Sequence, residues 1–77
     1  MKLHIYSLQN TVHEGESTSV TLPTDSGEIN VLPHHISLVT TLQKGTVISR
    51  NKEETKEFAI EGGMAYTDGE QLVVLAD

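Results

Sequence analysis

The sequence predicts an all-β fold, and three observations support this prediction. Apolar and polar residues alternate with a period of two in several segments, as they do along half-buried strands. No window of about 11 to 18 residues shows the period of an amphipathic helix. Clusters of Gly, Pro, Asn and Asp recur roughly every 8 to 12 residues, which is the spacing of turns in β-sandwiches and barrels.

The first predicted strands lie in the N-terminal half. Two pairs of apolar residues alternate there with polar neighbours, Leu3 with Ile5 and Val20 with Leu22. Residues 27–33 then place a short apolar strand after a turn glycine. Because proline cannot donate a ladder hydrogen bond, Pro33 either ends this strand or confines it to a sheet edge.

Three further apolar runs follow in the C-terminal half: Val47 with Ile48, Phe58 with Ile60, and residues 72–75. The polar residues 50–56 separate two of these runs, so we expect an exposed hairpin tip there. Asp68-Gly69 predicts a tight hairpin turn, because glycine tolerates a positive φ. Residues 35–42 are the least strand-like, and could form a loop, a strand or a single helical turn.

The chain length predicts a single domain over residues 1–77. A domain of this size buries only about 60 % of the surface of its unfolded chain. Its core should also be thin, since 36 % of the residues are hydrophobic and there is one Phe and no Trp. With no cysteine, disulfides and thiolate metal sites are excluded. A partner is therefore the expected source of additional stability.

Charge and hydropathy exclude two kinds of partner. Five Lys and Arg stand against eleven Asp and Glu, for a net charge of −6. Since these cations do not cluster, we expect no nucleic-acid partner. No apolar run approaches the roughly 20 residues that span a bilayer, and the N-terminus lacks the apolar stretch of a signal peptide.

Neither a metal site nor a catalytic site is predicted. His34 and His35 are adjacent, and adjacent side chains on a strand point to opposite faces. His4 and His13 lack the spacing of ligand pairs. The sequence also contains no Gly-x-Ser-x-Gly elbow and no cysteine nucleophile. We therefore expect a protein that is not an enzyme and binds no cofactor.

Several segments together resemble a known family. They are Gly15-Glu16, Val-Thr-Leu-Pro at 20–23, Gly-Glu-Ile-Asn-Val-Leu-Pro-His-His at 27–35, and residues 38–45, 58–63 and 73–77. Because these segments occur in this order and spacing, essentially all 77 residues of the sequence resemble the N-terminal β domain of the F-type ATP synthase epsilon subunit. The sequence departs from the family at Asn30 and His34, where the family usually has glycine.

The resemblance implies a flattened β-sandwich of about ten short, mainly antiparallel strands. It also implies a non-catalytic central-stalk subunit of a proton-translocating F-type ATP synthase. Such a subunit binds the gamma subunit and the polar loops of the c-ring, and it helps couple their rotation to ATP synthesis. It associates with the membrane only through the complex, at the cytoplasmic face of the cell membrane or its organellar equivalent.

The family's C-terminal helical hairpin, which inhibits ATP hydrolysis, is not present in these residues. We therefore expect coupling without that inhibition. The alternative is a free-standing β-sandwich module that binds a ligand or peptide, which would need an exposed groove with aromatic anchors.

The same resemblance assigns site residues. Glu28, Ile29 and Asn30 correspond to the side that faces the c-ring, where a basic residue would be the natural partner of Glu28. His35 and Thr40 correspond to the side that faces the gamma subunit.

Overall fold

A computed structural model describes residues 1–7, 11–34 and 37–77, and within these ranges all regular structure is β-strand. Nine strands form one curled sheet. They are β1 (Lys2–Ser7), β2 (Thr11–Glu16), β3 (Ser19–Thr24), β4 (Gly27–Val31), β5 (Leu38–Leu42), β6 (Gly45–Arg50), β7 (Thr55–Ile60), β8 (Gly63–Thr67) and β9 (Gln71–Ala76). The all-β prediction is confirmed, with nine strands in the described residues where about ten were expected.

The strand order is β2-β1-β9-β8-β5-β3-β6-β7, with β4 paired to β3 outside this path. Among the strand pairs of the described residues, β1 and β9 run parallel and the others are antiparallel. Along one edge, β3 pairs with β4. Along the other, its first residues pair with β6, and Thr24 pairs with Leu42 of β5. Strand β3 therefore joins the β2-β1-β9-β8-β5 part of the sheet to the β4-β3-β6-β7 part.

The inward sides of both parts share one hydrophobic core. It is made of Leu3, Ile5, Val20, Leu22, Val31, Leu42, Val47, Ile60, Ala65, Leu72, Val74 and Ala76. The alternating pairs that predicted strands β1 and β3 are fully buried within it. Four polar residues are buried as well: Ser17, Thr24, Ser49 and Thr67. Two of them hydrogen-bond to each other, with Ser17 Oγ 2.6 Å from Ser49 Oγ. The period-two pattern thus identified core positions correctly.

Side chains bring the two ends of the strand order together. The His13 ring on β2 lies 4.8 Å from the Phe58 ring on β7, centroid to centroid. The pKa of His13 is lowered, first by burial and then by Lys56, with Glu54 opposing the shift. Because this environment favours the neutral imidazole, the ring can pack on Phe58 without burying a charge. The curled sheet therefore closes at this edge through side-chain contact.

Both predicted turns are present. The tip of the β6–β7 hairpin is exposed, and Asn51 Oδ1 accepts hydrogen bonds from two of its amides, each at 2.9 Å. The β8–β9 turn has Gly69 at φ 95°. There, Asp68 Oδ1 accepts two amide hydrogen bonds, at 3.0 and 3.1 Å. These bonds stabilise the carboxylate and lower the pKa of Asp68.

The connection between β4 and β5 contains a strained residue. His34 has a φ of 60° and is the only non-glycine residue with a positive φ among those described. Its amide donates a hydrogen bond to the Gly69 carbonyl at 2.7 Å, which holds the connection against the β8–β9 turn. By contrast, Asn30, the other departure from a family glycine, lies within β4. The left-handed backbone conformation therefore occurs at His34. This conformation costs a residue with a Cβ roughly 1–2 kcal/mol.

Replacing His34 with glycine should stabilise the protein. We expect His34→Gly to raise the free energy of unfolding by about 0.5–1 kcal/mol, since the relief of strain exceeds glycine's entropic cost. The thermal midpoint should rise by a few degrees, as read by circular dichroism. Asn30→Gly is the matched control and should lower stability by roughly 0.5–1 kcal/mol, because its backbone is already in a strand. A loss of stability in His34→Gly would contradict this account.

Candidate partner-binding surfaces

An uncovered apolar surface occupies the outward side of β5, β8 and β9. It consists of Val39, Met64, Tyr66, Val73 and Leu75, here called the apolar face. Strand register places Val39 beside Tyr66 and Tyr66 beside Val73, while Met64 lies beside Leu75. Val39 is 62 % exposed and Leu75 is 55 % exposed. The five side chains and Ala65 line a shallow depression of about 280 Å³.

The composition of β9 explains how one strand can serve the core and this surface together. Leu72 and Val74 point inward and are fully buried, whereas Val73 and Leu75 point outward. Continuous apolar runs are typical of strands that are covered on both faces. Here the outward face has no cover within the described residues. A contiguous exposed patch of this kind indicates an interaction site.

A polar cluster borders the apolar face on β1 and β2. His4 pairs with Val73, and Tyr6 pairs with Leu75, so both rings lie on the outward side of the sheet, next to the outward side chains of β9. His4 Nδ1 lies 3.0 Å from Glu14 Oε1 and 3.3 Å from Tyr6 Oη. The His4 and Tyr6 rings are stacked, with centroids 5.9 Å apart and 14° between their planes. We call His4, Tyr6 and Glu14 the His4 cluster.

The three residues predicted to face the c-ring lie on β4, which pairs only with β3 among the described strands. Glu28 and Asn30 are exposed and share one side of this strand. Ile29 points to the other side and packs against the core. Asn30 Oδ1 accepts a hydrogen bond from Thr21 Oγ1 at 3.4 Å. No ion pair within the described residues involves Glu28, so its carboxylate is available to a partner.

Of the two residues predicted to face the gamma subunit, the structure describes one. His35 lies outside the described residues. Thr40 is half-buried on β5 and pairs with the buried Ala65. It therefore points away from the side that carries Val39 and is not part of the apolar face. The assignment of these residues to a gamma contact stays a prediction.

Sequence reasoning missed the apolar face, although one signal for it was present. Residues 72–75 form an uninterrupted apolar run, while half-buried strands normally alternate. In a mainly antiparallel sheet, such a run indicates that both faces of the strand meet apolar surroundings. Interpreted in this way, the run would have predicted a partner on the outward side of β9.

Metal-ligating side chains do not converge in the part of the chain that the structure describes, where no group of three His, Asp or Glu could hold an ion. Within the same residues, no helix has the length and apolar character needed to cross a membrane.

Comparison with known families and relatives gives a consistent assignment. The family described as "ATP synthase, Delta/Epsilon chain, beta-sandwich domain" matches residues 1–77. The ATP synthase epsilon chain of Prochlorococcus marinus (strain AS9601) is 32 % identical over 77 residues. That of Moorella thermoacetica is 36 % identical over 78 residues. Both matches cover all of this chain and 58 % of the relative, so the chain spans a little over half the length of these proteins.

Two solved structures share the fold at low sequence identity. One is the Euglena gracilis mitochondrial ATP synthase, in its OSCP/F1/c-ring part, with a TM-score of 0.88 and 19 % identity over 96 % of this chain and 48 % of that one. The other is the central stalk and c-ring of the Tetrahymena thermophila mitochondrial enzyme, with a TM-score of 0.81 and 12 % identity over 99 % and 62 %. These similarities establish the β-sandwich fold.

The family match extends from the first residue of the sequence to the last. Delta and epsilon chains are non-catalytic subunits, which agrees with the prediction that this chain is not an enzyme. The chain belongs to the ATP synthase delta/epsilon chain beta-sandwich domain family.

Proposed function

We propose that residues 1–77 act as a single rotor unit in the central stalk of a proton-translocating F-type ATP synthase. In this role the chain binds the gamma subunit and the c-ring and helps couple their rotation to ATP synthesis. Family membership supports the proposal, as does a fold shared with chains from ATP synthase structures. The chain would lie at the cytoplasmic face of the cell membrane, or its organellar equivalent, held there by the complex.

The proposal rests chiefly on the apolar face. The c-ring loops are polar in the family that the sequence resembles, so an apolar surface suits the gamma subunit better. A standard interface covers about 800 Å² of each partner, which is about one sixth of the 4712 Å² accessible surface here. Docking on this scale would also stabilise a domain with a thin core, because a ligand that binds only the folded state favours folding.

A separate surface is proposed for the c-ring. Glu28 and Asn30 lie on β4, while the apolar face lies on β5, β8 and β9. The two surfaces share no strand, so each partner is assigned a surface of its own. The exposed Glu28 carboxylate would pair with a basic residue of a c-ring loop, an arrangement that favours orientation and association rate more than affinity.

Reversing the charge of Glu28 tests this contact. We expect Glu28→Lys to weaken association with the purified c-ring by about tenfold in low salt, since it replaces an attraction with a repulsion. Folding should stay within about 0.5 kcal/mol of the parent protein, because the side chain is exposed. Glu57→Lys, an equal charge reversal at an exposed position of β7, is the control. Equal affinity of the two variants for the c-ring would remove Glu28 from the site.

Binding to the gamma subunit from the same source tests the proposed function as a whole. We expect co-elution in size-exclusion chromatography and a one-to-one stoichiometry by calorimetry. If the protein shows the circular dichroism of a folded β protein yet does not bind, the proposal is wrong. The free-standing binding module would then be the better interpretation.

We further propose that a polypeptide of residues 1–77 contributes to coupling without slowing ATP hydrolysis. All regular structure in the described residues is β-strand, and the family's inhibition resides in a helical hairpin. Adding this polypeptide to a catalytic head with its gamma subunit should leave the ATPase rate unchanged within about twofold, a free-energy difference of about 0.4 kcal/mol. Suppression of several-fold would contradict this part of the proposal.

A further inference from the structure

The His4 cluster has a fixed hydrogen-bonding pattern. A carboxylate can only accept hydrogen bonds, so the 3.0 Å contact with Glu14 Oε1 requires a proton on His4 Nδ1. In the neutral ring the second nitrogen, Nε2, is then an acceptor. Glu14 therefore selects which tautomer of His4 the protein presents.

Two hydrogen-bonding groups of the cluster are left for a partner. No hydrogen bond of Nε2 is found within the described residues, which also contain no buried side-chain polar atom without a partner. Nε2 is therefore not fully enclosed by the described residues, although the His4 side chain as a whole is only 14 % exposed. Nδ1 has a single hydrogen, which it donates mainly to Glu14 Oε1, so Tyr6 Oη at 3.3 Å accepts at most the weaker share of it and cannot donate to that nitrogen. Its own hydroxyl hydrogen remains available as a donor.

This acceptor and donor lie directly beside the apolar face. His4 pairs with Val73, and Tyr6 pairs with Leu75. The burial of apolar surface favours binding without favouring one orientation of the partner. A few polar groups placed at the margin of an interface fix that orientation. A subunit that transmits rotation needs one orientation on its partner.

Resting on the function proposed above, we propose that the His4 cluster determines the orientation and specificity of gamma docking. His4 Nε2 accepts a hydrogen bond from, and Tyr6 Oη donates one to, a peptide or carboxamide group at the margin of the gamma subunit's apolar surface. Glu14 is a positioning residue that keeps His4 in the accepting tautomer.

Substitutions at His4 separate hydrogen bonding from packing. His4→Phe keeps a flat ring against Tyr6 but removes both nitrogens. We expect it to weaken gamma binding at least about tenfold by calorimetry, because partner groups would be buried unpaired. His4→Gln, whose carboxamide can reach the position of Nε2, should stay within about threefold of the parent protein. Tyr6→Phe removes only a hydroxyl and gives an independent test if His4→Phe lowers the thermal midpoint. Unchanged binding in His4→Phe and Tyr6→Phe would overturn the inference.

A matched pair on β2 tests the positioning role. Glu14 and Glu16 are both exposed and point to the same side, but Glu16 contacts the N-terminal ammonium of Met1 at 3.2 Å instead of His4. We expect Glu14→Ala to weaken gamma binding several-fold and Glu16→Ala to leave it nearly unchanged. Equal losses would mean that only overall charge matters, and Glu14 would have no positioning role.

The failure of this inference can be told from failure of the proposed function. If aspartate at Val39 and Met64 leaves gamma binding intact, the apolar face is not the docking surface. If those changes abolish binding while His4→Phe does not, the face is correct and the orienting role of His4 is wrong.

Discussion

Aspartate at both Val39 and Met64 is expected to lower the affinity for the gamma subunit at least about 100-fold, which corresponds to about 2.7 kcal/mol. Both side chains stand outward from the sheet, on β5 and β8. Docking would bury each new carboxylate among apolar groups with no partner, at a cost of several kcal/mol before relaxation. Each single substitution should lower the affinity at least about tenfold. Calorimetry with the purified gamma subunit measures both effects.

Ala59→Asp provides the control for these variants. Ala59 is also an exposed apolar residue on a strand, but it lies on β7, which is distant from β8 in the strand order. The Ala59→Asp substitution adds the same charge as Val39→Asp or Met64→Asp and should leave gamma binding unchanged. Similar losses in Ala59→Asp and Val39→Asp would show a general charge effect and would count against the apolar face.

Gly63→Ala is expected to lower the free energy of unfolding by at least about 3 kcal/mol. A Cβ at this position would clash with the Leu75 carbonyl oxygen and would lie 3.0 Å from Ala76 Cα. Backbone atoms on an inner strand cannot move aside cheaply. The φ of 139° adds strain for any residue with a Cβ. For a domain of this length, with a total stability of roughly 4–12 kcal/mol, the thermal midpoint should fall by more than about 12 °C.

The control for this prediction isolates the steric clash. Gly27 also has a positive φ, 110°, but a Cβ there would meet nothing within 4 Å. Gly27→Ala should therefore show only the backbone strain, roughly 1–2 kcal/mol. Denaturant unfolding of both variants, read by circular dichroism, gives the comparison. If Gly63→Ala were no more destabilising than Gly27→Ala, close approach to β9 would not be the reason for glycine at this position.

Much of the fold could be predicted because local signals agreed with long-range packing. The pairs Leu3 with Ile5 and Val20 with Leu22 alternate in sequence and are buried in the structure. Asp68-Gly69 forms the expected turn. The resemblance to a family supplied the sandwich architecture, which periodicity alone left open between a sandwich and a barrel.

Other features depend on contacts between distant segments, and local patterns indicate them only in part. The apolar face exists because Val39, Tyr66 and Val73, from three strands, align across the sheet. The side to which Thr40 points depends on its pairing with Ala65. The His4 cluster is more local, since β1 and β2 follow each other in the sequence, but it too requires one register, with His4 opposite Glu14. Sequence spacing does not encode register between strands that lie far apart.

The parallel pairing of β1 with β9 has a consequence for the kinetics of folding. Lys2 pairs with Gln71 and Ser7 pairs with Ala76, so this ladder joins segments from nearly opposite ends of the sequence. Contacts of such high sequence separation form slowly, because a long loop must close before any ladder bond is gained. During synthesis, β1 therefore waits with one edge unpaired until β9 has left the ribosome. Refolding should be slow for so small a protein, and the nascent β1–β2 hairpin is the segment most exposed to wrong strand pairing.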